Sequence, residues 1–143
     1  MRIERCAIKD IDACASLLAQ VYSEPEYGEN WNSNDACNYL KRFYTIEPAG
    51  CYVALENNEI IGAIFSYSYP WHAETLVYIQ ELFVLAKHRN KGIAKSLLNS
   101  VGNGKAVRAW LVANENTSAS GFYKKMGFKK DGPYKFNYGE INT

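Results

Sequence analysis

The chain has 143 residues, which is enough for one domain (residues 1–143) with its own hydrophobic core. Its composition, 48% hydrophobic and 22% charged residues, is typical of soluble globular proteins, and no apolar run is long enough to span a membrane. Four widely spaced cysteines, only two histidines and no signal-peptide pattern argue against a disulfide framework or a zinc site, so we expect a cytoplasmic protein without a metal.

The net charge is only +1, but the two parts of the chain differ in sign. Residues 1–86 carry five Lys or Arg and twelve Asp or Glu, whereas residues 87–143 carry eleven and three. The first part therefore suits a cationic partner and the second an anionic one, unless both charges only solvate the surface. Nucleic-acid binding is the weakest interpretation, because the basic residues lie among apolar residues that recur at helix and strand spacing.

Hydrophobic periodicity predicts an α+β (mixed α/β) fold around a single sheet. In chain order we expect a strand (2–8), a helix capped by Asp10 (11–21), a helix capped by Ser33 that ends before Pro48, and a hairpin (51–55 and 60–67). A long strand (75–85), a helix (90–101), a strand (107–112), a helix (116–126) and a closing hairpin (128–138) follow.

The junction at residues 83–94 joins an apolar strand to an amphipathic helix through a basic loop with one glycine. A helix start leaves backbone N–H groups unpaired and favours an anion, and Gly92 lets the backbone approach a ligand closely. The pattern therefore predicts a cradle for a phosphorylated cofactor. An ordinary strand-to-helix turn with solvated charges is the alternative.

Two motifs stand out along the chain: R-x-x-G-x-A at positions 89–94 and N-x-x-A-x-x-F-Y-x-x-x-G-F at positions 116–128. Both resemble motifs of the GNAT superfamily of acyl-CoA-dependent N-acyltransferases. Asn90 and Ala94 stand where glycine is common in the family. The resemblance implies a twisted, mostly antiparallel sheet of six to seven strands with about four helices, splayed in the middle for coenzyme A.

The resemblance also implies how acetyl-CoA is held. Backbone groups of the strand end would contact the pantetheine arm and the acetyl carbonyl, backbone N–H groups of the loop would hold the pyrophosphate, and Asn116 would contact the arm. The implied cofactor-binding residues are Leu82, Phe83, Val84, Arg89, Asn90, Lys91, Gly92, Ile93, Ala94, Lys95, Asn116 and Tyr123.

Tyr123 matches the family's general acid, which reprotonates the leaving thiolate. Its alternative role is to pack on the cofactor. Glu81, three residues before Val84, is the candidate base for the acceptor amine. It could instead anchor the substrate or pair with a surface lysine, and a water relay without a dedicated base also remains open.

The resemblance implies that acceptor specificity lies in the loop between the first two helices, in the hairpin and in the closing strands. These parts combine carboxylates with aromatic rings, which suits a small cationic amine. We expect the acceptor to contact Glu26, Tyr27, Trp31, Trp71 and Glu81. Residues 78–84 and Tyr123 also look like the polyamine (diamine) acetyltransferase branch. A protein or peptide N-acetyltransferase and a non-catalytic acyl-CoA-binding domain are the alternatives, and relatives are often homodimers.

Overall fold

A mixed sheet of five strands organises the N-terminal 112 residues in the computed structural model, which describes residues 1–105 and 107–142. Its strands, in chain order, are β1 (Arg2–Arg5), β2 (Cys51–Glu56), β3 (Glu59–Trp71), β4 (Glu74–Val84) and β5 (Arg108–Trp110). The four α-helices are α1 (Ile11–Tyr22), α2 (Ser33–Ile46), α3 (Ile93–Ser100) and α4 (Ser118–Lys125). The α+β class predicted from periodicity is confirmed.

The strands lie in the order β1-β2-β3-β4-β5, and each pairs with the next. The first four form an antiparallel meander, whereas β5 runs parallel to β4. The turn between β2 and β3 consists of Asn57 and Asn58, both at positive φ (51° and 64°). This is the geometry that a two-residue hairpin needs, and asparagine adopts it more readily than most residues.

The helices cover both faces of the sheet. Ala63, Phe65 and Phe83 belong to one buried cluster with the apolar sides of α1 and α2. On the opposite face, a Cβ on Gly62 would lie 3.3 Å from the Leu97 side chain of α3. The missing side chain therefore lets α3 pack directly against β3.

The start of α2 differs by one residue from the prediction. Asn32, not Ser33, is the capping residue, and its side chain accepts a hydrogen bond from the Asp35 N–H at 2.8 Å. The backbone of Asn32 is extended (ψ 160°), whereas Ser33 is already helical. The cap requires a non-helical backbone, so the asparagine fills the position.

Residues 113–142 form a separate unit around α4. The helix ends at Lys125, and Gly127 just beyond it has a φ of 91°; Phe128 donates its N–H to the Tyr123 carbonyl, which satisfies one of the last free carbonyls. The sequence predicted a hairpin at 128–138, but the structure contains no strand in this described stretch. Its rings are exposed (Tyr134, Phe136 and Tyr138), and a two-stranded hairpin that buries no apolar face is only marginally stable. The described residues therefore contain five strands instead of the six to seven that we expected.

Among the described residues, none of the helices has the length and apolar character needed to cross a bilayer.

Candidate cofactor and acceptor site

The loop between β4 and α3 brings backbone donors together at a helix start. Asn90 and Gly92 both lie in the left-handed region, with φ of 62° and 79°. Ser96 donates its N–H to the Gly92 carbonyl, which closes the first turn of α3. Within the described part of the chain, the N–H groups of Ile93, Ala94 and Lys95 have no hydrogen-bond acceptor. These donors lie where the helix dipole favours an anion.

Gly92 provides a test of whether this loop fits a phosphate group. A Cβ built on Gly92 would have no other atom within 4 Å, so it would project into open space beside the donors. The side chains of Lys91 and Lys95, on either side, are exposed to the same solvent. The residues present therefore fit the pyrophosphate of coenzyme A.

The strand before this loop has a free edge. Strand β5 pairs with β4 only over Leu76–Tyr78, so the described part of β4 beyond Tyr78 has no partner on that side. Leu85 donates its N–H to the Ile61 carbonyl, and antiparallel pairs alternate in hydrogen bonding. This alternation directs the backbone groups of Leu82 and Val84 toward the free edge. The backbone of Phe83, by contrast, is committed to β3.

Trp110 lies at the point where β5 leaves β4, opposite Tyr78. Its indole Nε1 is buried and has no hydrogen-bond partner among the described residues. A buried donor without a partner costs free energy, and carbonyl oxygens are the usual acceptors for it. Trp110 therefore leaves a buried donor unsatisfied near the point where β4 and β5 stop pairing.

Arg89 is used within the protein. Its Nη1 and Nη2 donate to the two carboxylate oxygens of Glu24 at 2.7 and 2.8 Å, and its Nε donates to the Val84 carbonyl at 3.0 Å. Its backbone N–H is also occupied, by the Ala86 carbonyl at 3.1 Å. The predicted cofactor residue Arg89 therefore ties the loop after α1 to the loop before α3, while its charge is neutralised by Glu24.

Glu81 is a mostly buried carboxylate between two tyrosines. Tyr22 of α1 donates to Oε1 and Tyr39 of α2 donates to Oε2, both at 2.6 Å. Burial raises the pKa of Glu81, with a smaller contribution from the negative charge of Glu29, whereas the two phenols act in the opposite direction. Burial and the charge of Glu81 in turn raise the pKa of Tyr39, so its phenol stays protonated as a donor.

Two of the predicted acceptor residues are assembled around this carboxylate. The ring of Tyr27 contacts that of Tyr22 edge-on at 4.9 Å, and the ring of Trp31 lies 5.2 Å from that of Tyr39. Trp31 also donates its indole N–H to Glu29 at 2.8 Å. Trp71, by contrast, lies away from the site, because it pairs with Glu74 at the far end of the β3–β4 hairpin. Glu26 is exposed in the loop after α1.

The distance from Trp71 to Glu81 follows from the register. Glu81 lies opposite Phe65, six residues before Trp71 along β3, and this corresponds to about 20 Å at the usual rise of a strand. Trp71 is also half-exposed and packs edge-on against His72. The structure therefore does not bring Trp71 to the carboxylate.

The residues of the second motif lie in the C-terminal unit. Asn116 is exposed in the turn before α4, and Tyr123 lies within α4. The ring of Tyr123 packs between Phe122 (5.2 Å) and Phe128 (5.5 Å). Its ring is thus fixed by the two aromatic residues of the same motif.

Comparison with known families identifies the fold. The sequence profile of the acetyltransferase (GNAT) domain matches residues 47–130, more than half of the chain. The chain belongs to this family. A comparison with curated proteins gave no match.

Solved structures share the GNAT fold over nearly the whole chain. A possible acetyltransferase from Clostridium difficile 630 is 21% identical, with a TM-score of 0.78 and coverage of 98% of this chain and 97% of that one. A protein of Pyrococcus horikoshii OT3 is 26% identical, with a TM-score of 0.74 and coverage of 94% and 92%. An aminoglycoside acetyltransferase from an uncultured soil metagenomic sample is 22% identical, with a TM-score of 0.71 and coverage of 97% and 95%.

Sequence reasoning missed the two tyrosines that hold Glu81 in this GNAT domain. Tyr22 follows Leu18 by four residues and Tyr39 follows Ala36 by three, so helical spacing places both on the buried sides of their helices. That spacing was the available signal. Which strand residue the two hydroxyls meet depends on tertiary packing.

Proposed function

We propose that this protein transfers the acetyl group of acetyl-CoA to a primary amine of a small, cationic acceptor by direct attack in a ternary complex. The observation that carries the proposal is the Glu81 carboxylate. It lies on β4, the strand that leads into the loop before α3 (the α3 loop), and the phenols of Tyr22 and Tyr39 hold it in place. The strand has a free edge beside it and the loop presents unpaired N–H groups. A base, a free strand edge and an anion site thus follow one another within residues 81–95.

The chain's own groups would hold the cofactor as follows. The N–H groups of Ile93, Ala94 and Lys95 bind the pyrophosphate, and Gly92 keeps the space in front of them open. Backbone groups of Leu82 at the free edge of β4 bind the pantetheine arm. When bound, acetyl-CoA supplies the thioester carbonyl that the amine attacks.

Proton transfers at the acceptor nitrogen and at the leaving sulfur complete the proposed reaction. An ammonium has no lone pair for attack, so Glu81 accepts a first proton from the acceptor nitrogen, and the second proton that the nitrogen loses as the amide bond forms and the C–S bond breaks passes to water. Burial raises the pKa of Glu81, which makes it a stronger base than an exposed glutamate. On the strength of its motif, Tyr123 donates a proton from its hydroxyl to the leaving sulfur. A water relay without a dedicated base is the alternative to Glu81.

The loop after α1 supports a cationic acceptor. Tyr27 and Trp31 place rings beside the tyrosines that hold Glu81, and Glu29 adds a second negative charge that acts on it. Rings together with carboxylates attract an amine through charge pairing and cation–π contact. The likeness to the polyamine branch and the shared fold with an aminoglycoside acetyltransferase supply two acceptor classes to test.

A thiol-release assay with acetyl-CoA tests the proposal against a panel of polyamines, aminoglycosides, amino acids and N-terminal peptides. We expect turnover with a polycationic small molecule, and turnover only with peptides would favour a protein N-acetyltransferase. Acetyl-CoA should also raise the melting temperature, whereas ATP and short oligonucleotides should not. Stabilisation by acetyl-CoA with no turnover on any amine would indicate a non-catalytic binding domain.

Substitution of Glu81 tests its role as the base. Glu81→Gln should lower kcat strongly and remove the acidic limb of the pH–rate profile, because the amide cannot accept the proton. Glu59→Gln is the matched control, since Glu59 is an exposed carboxylate at the β2–β3 turn. If the Glu81→Gln variant kept the wild-type pH–rate profile, Glu81 would not be the base, and the water relay without a dedicated base would be favoured.

A further inference from the structure

A β-bulge brings two neighbouring side chains of β4 to the same hydroxyl group. Phe65 of β3 lies opposite Glu81, but Ser66 lies opposite Ile79, so Gln80 is an extra residue in β4. Simple alternation would place Gln80 and Glu81 on opposite faces. In the structure, both contact the Tyr39 hydroxyl, which accepts from Gln80 Nε2 at 2.9 Å and donates to Glu81 at 2.6 Å. Bulges re-aim side chains in this way near functional sites.

The sequence of hydrogen bonds from Gln80 through Tyr39 to Glu81 determines where the proton of the Tyr39 hydroxyl lies. A phenol has one proton, and the Gln80 amide occupies the oxygen as a donor, so the proton of Tyr39 points to Glu81. Tyr22 donates to the other carboxylate oxygen. Each oxygen of Glu81 thus receives one phenol and keeps a lone pair for another donor, such as an ammonium group.

The groups around Glu81 act in opposite directions on its charge. Burial opposes ionisation, and so does the negative charge of Glu29 in the loop after α1. Burial raises the pKa of Tyr78, on the same strand, and smaller contributions come from Tyr67 and from the charge of Glu81, which is therefore within electrostatic reach. Among the described residues, no Lys or Arg is paired with Glu81. The hydrogen bonds from Tyr22 and Tyr39 are therefore what stabilises the charged carboxylate.

We propose that Tyr22 and Tyr39 are positioning residues that act through Glu81, with Gln80 orienting the Tyr39 hydroxyl. Together they hold the carboxylate in one rotamer and in its charged form, with its free lone pairs available to the acceptor. The inference rests on the proposed role of Glu81 in acetyl transfer. It assigns to α1 and α2 a part in the chemistry in addition to their part in the core.

A titration of the Glu81 side-chain carboxyl by ¹³C NMR tests the hydrogen-bonding role without any acetyl transfer. The signal is assigned by its absence in Glu81→Gln. Tyr22→Phe and Tyr39→Phe remove one donor each and keep the ring, so the midpoint should rise by about one to two pH units in each variant. Gln80→Leu should raise it less, because Tyr39 can still donate. Tyr52→Phe is the control, since the Tyr52 hydroxyl bonds Asn103 on the other side of the sheet.

The pH dependence of acetyl transfer then links the titration to the reaction. If Glu81 must be ionised to act, the acidic limb of kcat/KM should move to higher pH by the same amount as the NMR midpoint. Unchanged midpoints in both phenylalanine variants would overturn the positioning role, and so would an acidic limb that stays in place while the midpoint moves. Failure of the wild-type protein to acetylate any amine would contradict the proposed function, whereas the titration would still decide whether the phenols hold the carboxylate.

Discussion

Gly92 is the position where the proposed cofactor site is most sharply testable. Its φ of 79° lies in the left-handed region, and a Cβ there would meet no protein atom within 4 Å. Gly92→Ala should therefore cost only the backbone term, about 1–2 kcal/mol of unfolding free energy. In a chain of this size, that corresponds to a melting temperature lower by roughly 2–4 °C per kcal/mol.

Gly104 offers a matched control for that backbone term. Its φ is 76°, and a Cβ there would also meet nothing within 4 Å. Gly104→Ala should thus destabilise the protein as much as Gly92→Ala, measured by urea unfolding. Only at Gly92 does the new methyl group stand next to the unpaired N–H groups at the start of α3.

The difference between the two variants should appear in coenzyme A binding measured by calorimetry. We expect the dissociation constant of Gly92→Ala to rise at least tenfold, about 1.4 kcal/mol, because the methyl group keeps the pyrophosphate from the backbone donors. Gly104→Ala should bind as the wild type does. Equal affinities in the two variants would refute the close approach of the ligand at Gly92.

Three further predictions concern other parts of the chain. Tyr123→Phe should lower kcat while the acetyl-CoA dissociation constant changes little, and an unchanged kcat would remove Tyr123 as the acid. Trp110→Phe should weaken coenzyme A binding several-fold without destabilising the free protein, because the indole N–H has no partner there; unaltered binding in calorimetry would contradict a contact. Asn32→Ala should cost about 1 kcal/mol in urea unfolding, whereas Ser33→Ala should cost much less, because only Asn32 caps α2.

The α3 loop could be predicted from the sequence because its determinants are local. A glycine before an amphipathic helix and basic residues around it are visible within a dozen positions. Even Asn90, which departs from the glycine common in the family, fits its place. It adopts a φ of 62°, a conformation that asparagine tolerates better than most residues.

The surroundings of Glu81 could not be predicted in the same way. The bulge at Gln80 breaks the alternation of side chains between the two faces of β4. The strand sequence contains no glycine or proline from which the bulge could be predicted. Alternation alone separates Tyr78 from Glu81, whereas the structure places them within electrostatic reach. The partners Tyr22 and Tyr39 lie 59 and 42 residues away in the chain, so only the packing of two helices against the sheet brings them together.

Arg89 shows how tertiary pairing changes the meaning of a charge pattern. The sequence separates an acidic part from a basic part, and the position of Arg89 assigns it to the predicted anion site. Its bidentate pair with Glu24 joins the two parts instead. The exposed charges left near the start of α3 are those of Lys87, Lys91 and Lys95. Since a paired guanidinium adds little net field, the proposed anion site depends on backbone N–H groups and these lysines, while Arg89 links the loop proposed to bind the cofactor to the loop proposed to bind the amine.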